Sequence, residues 1–360
     1  MEAAKAMEEG VKFADSSIDT VLLPAADGGE GTMVSLVEST NGKFVRHIVK
    51  DPLGRPIEAA YGVLGDDETV VIEIAEASGL TLLKEEERNP IHTTTVGTGE
   101  LIRYALDAGY RKFIIGLGGS ATNDGGLGLL QALGMKFLDD NGEPIGSGGG
   151  ALRTLSLIDN SDFDSRVDDS RFIVACDVDN PFIGENGAST IFGPQKGADP
   201  ETVEFLDRCL HRFADVIEIQ FGLSLHDAEG AGAAGGVGGA FRAFFPSEMK
   251  KGIEVVLDAI QFEERISDAD LILTGEGKTD VQTLAGKTPF GIAKAAHKKG
   301  IPVILISGIL EDGLELESYF EGLHSVAEEG ISIEESIRNA AELLAKRTEG
   351  VVVEYKQRGV

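Results

Sequence analysis

Apolar positions along the chain recur in two periods, one near 3.6 residues and one near 2, and the switches between them mark the elements. Met1 to Ala14 predicts an amphipathic helix. Thr20 to Leu23 predicts a short strand running into Pro24-Ala25-Ala26-Asp27-Gly28-Gly29-Glu30-Gly31-Thr32, and Met33 to Ser39 a helix. Phe44 to Val49, Ile57 to Val63 and Val70 to Ile74 are separated by Asp-Pro-Leu-Gly and Gly-Asp-Asp turns, which predicts antiparallel strands. Thr95 to Ala108 reads as a helix between a capping threonine and Gly109. Phe113 to Ile115 predicts a buried strand feeding a glycine-rich loop and a helix to about Leu133, and Lys136 to Leu138 flanks a hairpin signal at Asp140-Asn141-Gly142. Phe172 to Ala175 reads as a strand and Pro200 to Gln220 as a long helix with proline in its first turn. The last hundred residues alternate: strand Leu271 to Leu273, helix Pro289 to Lys299, strand Val303 to Ile306, a strand around Ser325 to Ala327, and helix Ile333 to Lys346. Such alternation implies a parallel sheet covered by helices on both faces, and the more mixed middle of the chain implies a second α/β domain.

Composition adds boundaries to this picture. With 360 residues the chain exceeds what one core usually fills, and 42% hydrophobic with 26% charged residues excludes disorder as the main state. The 61 acidic against 32 basic residues leave a formal charge of −29, which repels nucleic acid and anionic membrane but leaves a small anionic substrate open to local donors. Cys176 and Cys209 form no CxxC pair, so neither a disulfide framework nor a zinc site is expected. The alanine-rich, charged start carries no signal-peptide pattern, and no apolar run nears the ~20 residues a membrane helix needs. A cytoplasmic protein is expected.

Glycine sharpens the site. Five windows (28–31, 116–128, 142–150, 230–239 and 275–286) hold 23 of the 47 glycines, each beside an apolar run. The strand–Gly116-x-Gly118-Gly119-Ser120-Ala121-Thr122-Asn123-Asp124–helix succession suits an anion nest, with backbone N–H groups at a helix start and side-chain donors at Ser120, Thr122 and Asn123. Gly116-x-Gly118-x-x-Ala121 also fits a dinucleotide fingerprint with Asp139 as the ribose-binding acid, although Asp139 sits beside an Asn-Gly hairpin. Tight helix–strand packing alone is the plainer alternative. Thr274-Gly275-Glu276-Gly277-Lys278-Thr279-Asp280, followed by Gly286-Lys287-Thr288, looks like a P-loop ending, yet Ile272 and Val281 stand where the earlier glycine is required. It is either a chemically dense strand exit or a solvated turn.

Asp27-Gly28-Gly29-Glu30-Gly31 holds two carboxylates at a helix entrance, which an N-cap explains in part. In Cys176-Asp177-Val178-Asp179-Asn180, strand alternation would point Asp177 and Asp179 the same way, toward Mg²⁺ or a substrate proton, unless they merely end the strand in an Asx turn. Lys196 between Gly193-Pro194-Gln195 and Gly197 suits a phosphate contact, whereas Gly230 to Gly239 suggests no chemistry. The six histidines show no HxxxH or HExxH spacing, and no G-x-S-x-G elbow occurs. The inventory suits phosphoryl transfer, where catalysis is mostly positioning and charge stabilisation.

Taken in order, Ala26 to Thr32, Gly118 to Gly126, Cys176 to Pro181, Phe192-Gly193-Pro194-Gln195-Lys196-Gly197, and Thr274 to Gly277 through Gly286-Lys287 resemble the bacterial glycerate kinase family (type 1) over essentially the whole chain. The resemblance implies ATP- and Mg²⁺-dependent phosphorylation of D-glycerate to 2- or 3-phosphoglycerate by a monomer or homodimer. It also implies a Rossmann-like parallel-sheet α/β domain (1–40, 90–135, 260–360) with a mixed-sheet α/β domain (41–89, 136–259) inserted into it, and a cleft between them. On this basis Asp177 is expected as the base, with Asp280 and Lys196 as further catalytic groups. Asp179 (or Asp280) would hold Mg²⁺, while Lys196 and Lys287 would neutralise phosphate charge. Gly118, Gly119, Ser120, Asn123, Gly275, Gly277 and Lys287 would bind nucleotide, and Asp27, Gly28, Gly29, Glu30 and Asp124 would bind substrate. The family usually opens with a strand and an Asp-Ser-Phe-Lys-type loop, whereas this chain begins at the next helix. The form extended upstream is therefore expected to be the more stable and active. The rival functions are a nicotinamide-dependent oxidoreductase of a small hydroxy acid and a non-catalytic nucleotide or glycerate sensor.

Overall fold

A computed structural model describes residues 1–358 of the chain apart from 27, 28, 30, 281–286, 312–315, 317 and 328–337. Two compact units emerge, one formed by Met1–Asp27 with Val256–Val360 and the other by Gly28–Val255. The described residues contain no helix long and apolar enough to cross a membrane.

The continuous unit is built on a six-stranded sheet. Its strands are β1 (Lys43–Lys50), β2 (Pro56–Val63), β3 (Thr69–Glu73), β4 (Lys112–Gly116), β7 (Arg171–Ala175) and β8 (Ser247–Lys250), in that spatial order. A separate antiparallel pair joins β5 (Lys136–Leu138) to β6 (Leu157–Asp159), and the Asp140-Asn141-Gly142 turn after β5 is closed by an antiparallel bridge between Leu138 and Pro144. As the short turns implied, β1–β2 and β2–β3 are antiparallel; from β3 through β4 and β7 to β8 every pairing is parallel. Val70, Val71 and Ile72 are all buried, as a strand covered on both faces requires. Phe113 and Phe172, opposite each other in β4 and β7, stack at 4.6 Å. The register sets Glu73 level with Gly116 and Gly116 level with Ala175, so three parallel strands end along one edge. In open α/β sheets, the loops beyond such carboxyl ends are where ligands collect.

Glycine-rich 230–239, assigned no chemistry from its sequence, is a packing element. It enters the helix Ala233–Phe244 through left-handed conformations at Ala234, Gly235 and Gly236. The Gly235 carbonyl accepts the Gly125 N–H at 3.0 Å. A Cβ on Gly235, whose φ is +68°, would stand 2.0 Å from the Thr122 carbonyl oxygen.

In the other unit β9 (Ile272–Thr274), β11 (Val303–Ser307) and β13 (Gly322–Ser325) form a parallel sheet with β11 in the centre, and β10 (Lys278–Thr279) pairs in parallel with β12 (Ile309–Leu310). Ile304, Ile306 and Val351 make its core with Met7, Leu271, Leu273, Leu344 and Tyr355, which joins the strands to the helices Glu2–Ala14 and Ala340–Gln357. The α/β class with one parallel and one mixed sheet is thus as expected.

Several boundaries differ. Residues 90–135 belong to the continuous unit, because β4 is hydrogen-bonded between β3 and β7. Thr20 to Leu23 forms no strand; the Thr20 hydroxyl instead donates to Glu8 of the first helix at 2.6 Å. β13 ends at Ser325, and the last helix runs over Ala340–Gln357, the start expected at Ile333 lying outside the described residues. Gly235→Ala should lower the unfolding free energy by more than about 1 kcal/mol, because the left-handed backbone and the Thr122 contact both oppose a side chain; urea unfolding of the two forms measures this.

Candidate functional site

The loop after β4 is held from below by side chains and left open on top. Gly118 and Gly119 are exposed, while residues 120 to 126 are buried. The Ala121 N–H donates to the Ser78 carbonyl at 2.8 Å, and the Gly119 carbonyl accepts the Leu80 N–H at 2.8 Å. Thr93 Oγ1 donates to the Ala121 carbonyl at 2.9 Å, and Asn123 Nδ2 to Ser189 Oγ at 2.8 Å. Asp124, expected to meet substrate, is instead fully buried. Its carboxylate accepts from the Thr95 N–H and hydroxyl, both at 2.9 Å, and from the Gly126 and Gly128 N–H groups at 3.0 and 3.2 Å. It caps the helix that leaves the loop and is a positioning residue. Burial pushes its carboxyl above the usual range, and these donors oppose that shift.

Lys196 is likewise internal, at 1% exposure. Its ammonium donates to the Thr122 carbonyl at 2.7 Å and to Ser120 Oγ at 2.9 Å. Burial pushes its pKa down to about 7, and the nearby Asp124 charge works in the opposite direction. Rather than reaching out to phosphate, Lys196 ties down the loop from beneath. Thr122 Oγ1 and Asn123 Oδ1 are buried without a hydrogen-bond partner among the described residues. Such orphans are uncommon in a finished interior. Together with the exposed Gly118-Gly119 turn, they fit a loop built to take a polar ligand.

Two further groups flank the loop on the same strand edge. Glu73, at the end of β3 and not singled out from sequence, accepts the N–H groups of Met33 at 2.8 Å and Gly31 at 3.3 Å. Burial raises its pKa. Beyond β7, Asp177 and Asp179 are exposed. β7 stops at Ala175, so the strand alternation expected to aim both aspartates one way does not extend to them. Asp177 Oδ1 accepts the Gly252 N–H at 2.9 Å. Asp179 lines a hollow of about 220 Å³ with Cys176, Arg242, Lys250 and Lys251. Exposed carboxylate oxygens are the hard ligands Mg²⁺ prefers, and each of these aspartates offers them. Cys176 donates its thiol to the Val178 carbonyl at 3.1 Å, and burial pushes its pKa up, away from the thiolate.

In the other unit, the turn after β9 is shaped by close approach. A Cβ on Gly275 would lie 2.1 Å from the Ile306 carbonyl oxygen. The Glu276 and Gly277 carbonyls accept the Gly308 and Ile309 N–H groups at 3.0 and 3.1 Å. Lys278 pairs with Glu311 at 2.6 Å and lies 3.8 Å from Asp280, and Lys287 is the N-cap residue of the helix Thr288–His297. Asp27, Gly28 and Glu30 lie outside the described residues; the Gly29 carbonyl accepts the Thr32 N–H at 3.2 Å.

The profile of the glycerate kinase family matches residues 1–356. The chain belongs to this family. It is 47% identical to the glycerate kinase of Bacillus subtilis (strain 168), covering 99% of this chain and 94% of that one. Identity to the glycerate 2-kinase of Escherichia coli (strain K12) is 45%, over 97% and 92% of the two chains. A crystal structure from Salmonella typhimurium LT2, described as a glycerate kinase 2, superposes with a TM-score of 0.92 at 44% identity, covering 99% of this chain and 94% of that one. The chain is therefore a kinase.

The oxidoreductase alternative loses its ribose-binding acid. Asp139 of this kinase closes its own turn, accepting the Asn141 and Glu143 N–H groups at 2.8 and 2.9 Å. Thr93, Thr95, Ser78 and Ser189 shape the loop without having been singled out from sequence; the Thr93-Thr94-Thr95 run before a helix was the available signal for the two threonines.

The Lys196 shift has a pH signature. Between pH about 7 and the ordinary lysine value of 10.5 the unfolded chain holds a proton that folded Lys196 has lost, so rising pH stabilises the native state through this group. The stability of the natural protein relative to Lys196→Met should therefore grow from pH 7 upward. Chemical denaturation of both forms across this range measures it, and a constant difference would contradict the assignment.

Proposed function

We propose that the chain catalyses ATP-dependent phosphorylation of D-glycerate, with Mg²⁺, to give 2-phosphoglycerate and ADP. Family membership sets the reaction class. The observation that carries the placement is the loop 118–123, exposed at Gly118-Gly119 and tied from beneath by Lys196. The name of the Escherichia coli relative, a 2-kinase, favours the 2-phosphate product.

In this reading Gly118, Gly119 and Ser120 offer N–H and hydroxyl donors to an anionic group. Thr122 and Asn123 have buried polar atoms still to be satisfied. Asp177 takes the proton from the attacking glycerate hydroxyl; its exposure lets substrate reach it, and the Gly252 N–H fixes its orientation. Asp179 is the carboxylate that would hold Mg²⁺, and the ion, when bound, neutralises charge on the transferring phosphoryl group. Arg242, Lys250 and Lys251 beside Asp179 add positive charge to that hollow. Lys196, Asp124 and Glu73 keep the loop and the neighbouring helix starts in place and touch no reacting atom. Gly275, Gly277 and Lys287 would serve nucleotide phosphates: the close-packed turn and the helix N-terminus after it are the forms of backbone that present N–H groups to anions. Asp280 is a second carboxylate near them in sequence and is retained as a candidate ligand.

A coupled ADP-release assay with D-glycerate, L-glycerate and no acceptor, followed by phosphorus NMR of the product, tests the reading. ADP should appear only with D-glycerate, and the ester should sit on the 2-hydroxyl. Asp177→Ala should lower kcat by about 10² or more with little change in KM. Near-normal turnover of that variant would remove Asp177 as the base, and absence of ADP release with D-glycerate would overturn the function.

A further inference from the structure

Away from the loop edge, the helix Pro200–Phe221 and the segment that follows it bring together three side chains for which phosphoryl transfer has no use. His211 and Asp215 are one helical turn apart, and His226 folds back from beyond the helix end. His211 Nδ1 lies 3.1 Å from Asp215 Oδ2, and His226 Nε2 lies 2.9 Å from Asp215 Oδ1. One ligand atom from each residue falls within 4.8 Å of the other two.

We propose that His211, Asp215 and His226 form a binding site for a divalent transition metal of the Zn²⁺ class. Two imidazole nitrogens and one carboxylate oxygen are a donor set that suits such ions, whereas Mg²⁺ and Ca²⁺ favour oxygen alone. Ligand atoms bound to Zn²⁺ at about 2.0–2.1 Å in a tetrahedron stand about 3.3 Å apart. The two hydrogen-bonded pairs are already near that separation, so small rotations of the rings would admit the ion. In the metal-free form each ring N–H that faces Asp215 donates to it. On metal binding that proton is released, or the ring takes its other neutral tautomer and the freed nitrogen ligates. For His226 the second tautomer places the proton on Nδ1, which faces Glu218 Oε2 at 3.9 Å. A carboxylate on the far side of the ring is the usual companion of a ligating histidine.

The site is open to solvent on one side. The His211 and Asp215 side chains are 54% and 46% exposed, while His226 is 18% exposed. His211 and Asp215 border a shallow hollow of about 340 Å³, which would leave a fourth position to water. Arg208 and Arg212 line the same hollow, but Arg208 lies 3.7 Å from Glu204 and the Arg212 guanidinium donates to the Leu155 carbonyl. The net charge of −29 further favours a cation at this surface. With the ion bound, the last turns of the helix would be clamped to the segment carrying His226.

Zinc binding to the chelator-stripped full chain, measured by competition with a chromophoric zinc indicator, tests the site. The natural protein should bind one Zn²⁺ here, and His211→Ala and His226→Ala should each weaken it by about tenfold or more. Cobalt(II) should give the intense visible bands of tetrahedral coordination in the natural protein and lose them in the double variant, and excess Mg²⁺ should not displace zinc. Zinc bound with equal affinity by the double variant, or no competition with the indicator by the natural protein, would overturn the proposal. His211 lies on the surface and His226 is largely covered, and unchanged far-ultraviolet circular dichroism checks that both variants remain folded.

Discussion

A lysine ammonium without solvent, held by one carbonyl and one hydroxyl, is the constraint around which the proposed site is arranged. Burying a charge is costly unless it is paired and hydrogen-bonded. The hydrogen bonds come to Lys196 because the chain beyond β4 turns back to present the Thr122 carbonyl and Ser120 Oγ to it. Asp124, two residues on, is equally buried and is satisfied by Thr95 and the first N–H groups of the following helix. Any shift of the loop would strand one buried polar group or the other. The backbone at Gly118 and Gly119 is therefore fixed before a ligand arrives, which is what electrostatic preorganisation requires.

The sheet supplies the remaining geometry. Parallel register from β3 to β8 brings Glu73, Gly116, Ala175 and Lys250 to one edge, so the loops that follow them open on the same side. Glycine is needed at Gly235 for a specific reason: the helix entrance runs so close beneath Thr122 that no side chain fits. The segment with the least chemical content in its sequence thus buttresses the loop with the most.

The periodic elements were legible in the sequence because strands such as Val70 to Ile74 and the helix from Pro200 carry their burial pattern locally. The β4 loop was legible because glycines beside hydroxyl and amide side chains at a strand exit have few purely structural uses. The roles within it were less so. Asp124 and Lys196 read as ligand contacts because charged residues beside glycines usually face solvent, and only the tertiary fold shows both turned inward. Thr95 and Ser189 depend on partners 29 and 66 residues distant. Glu73 sits inside an apolar strand pattern and draws its meaning from the helix start it caps. The unit assignment of 90–135 also depends on long-range pairing, since β4 could have joined either parallel sheet on local pattern alone.

Backbone amide chemical shifts of a deuterated, ¹⁵N-labelled sample, recorded while D-glycerate and then ATP with Mg²⁺ are added, test the central claim most directly. The account predicts that Gly118, Gly119 and Ser120 shift on ligand addition in the natural protein. It also predicts that in Lys196→Met the same amides are broadened or displaced before any ligand is present. Saturating ligand that leaves these three amides unmoved, in a sample that turns over D-glycerate, would contradict it.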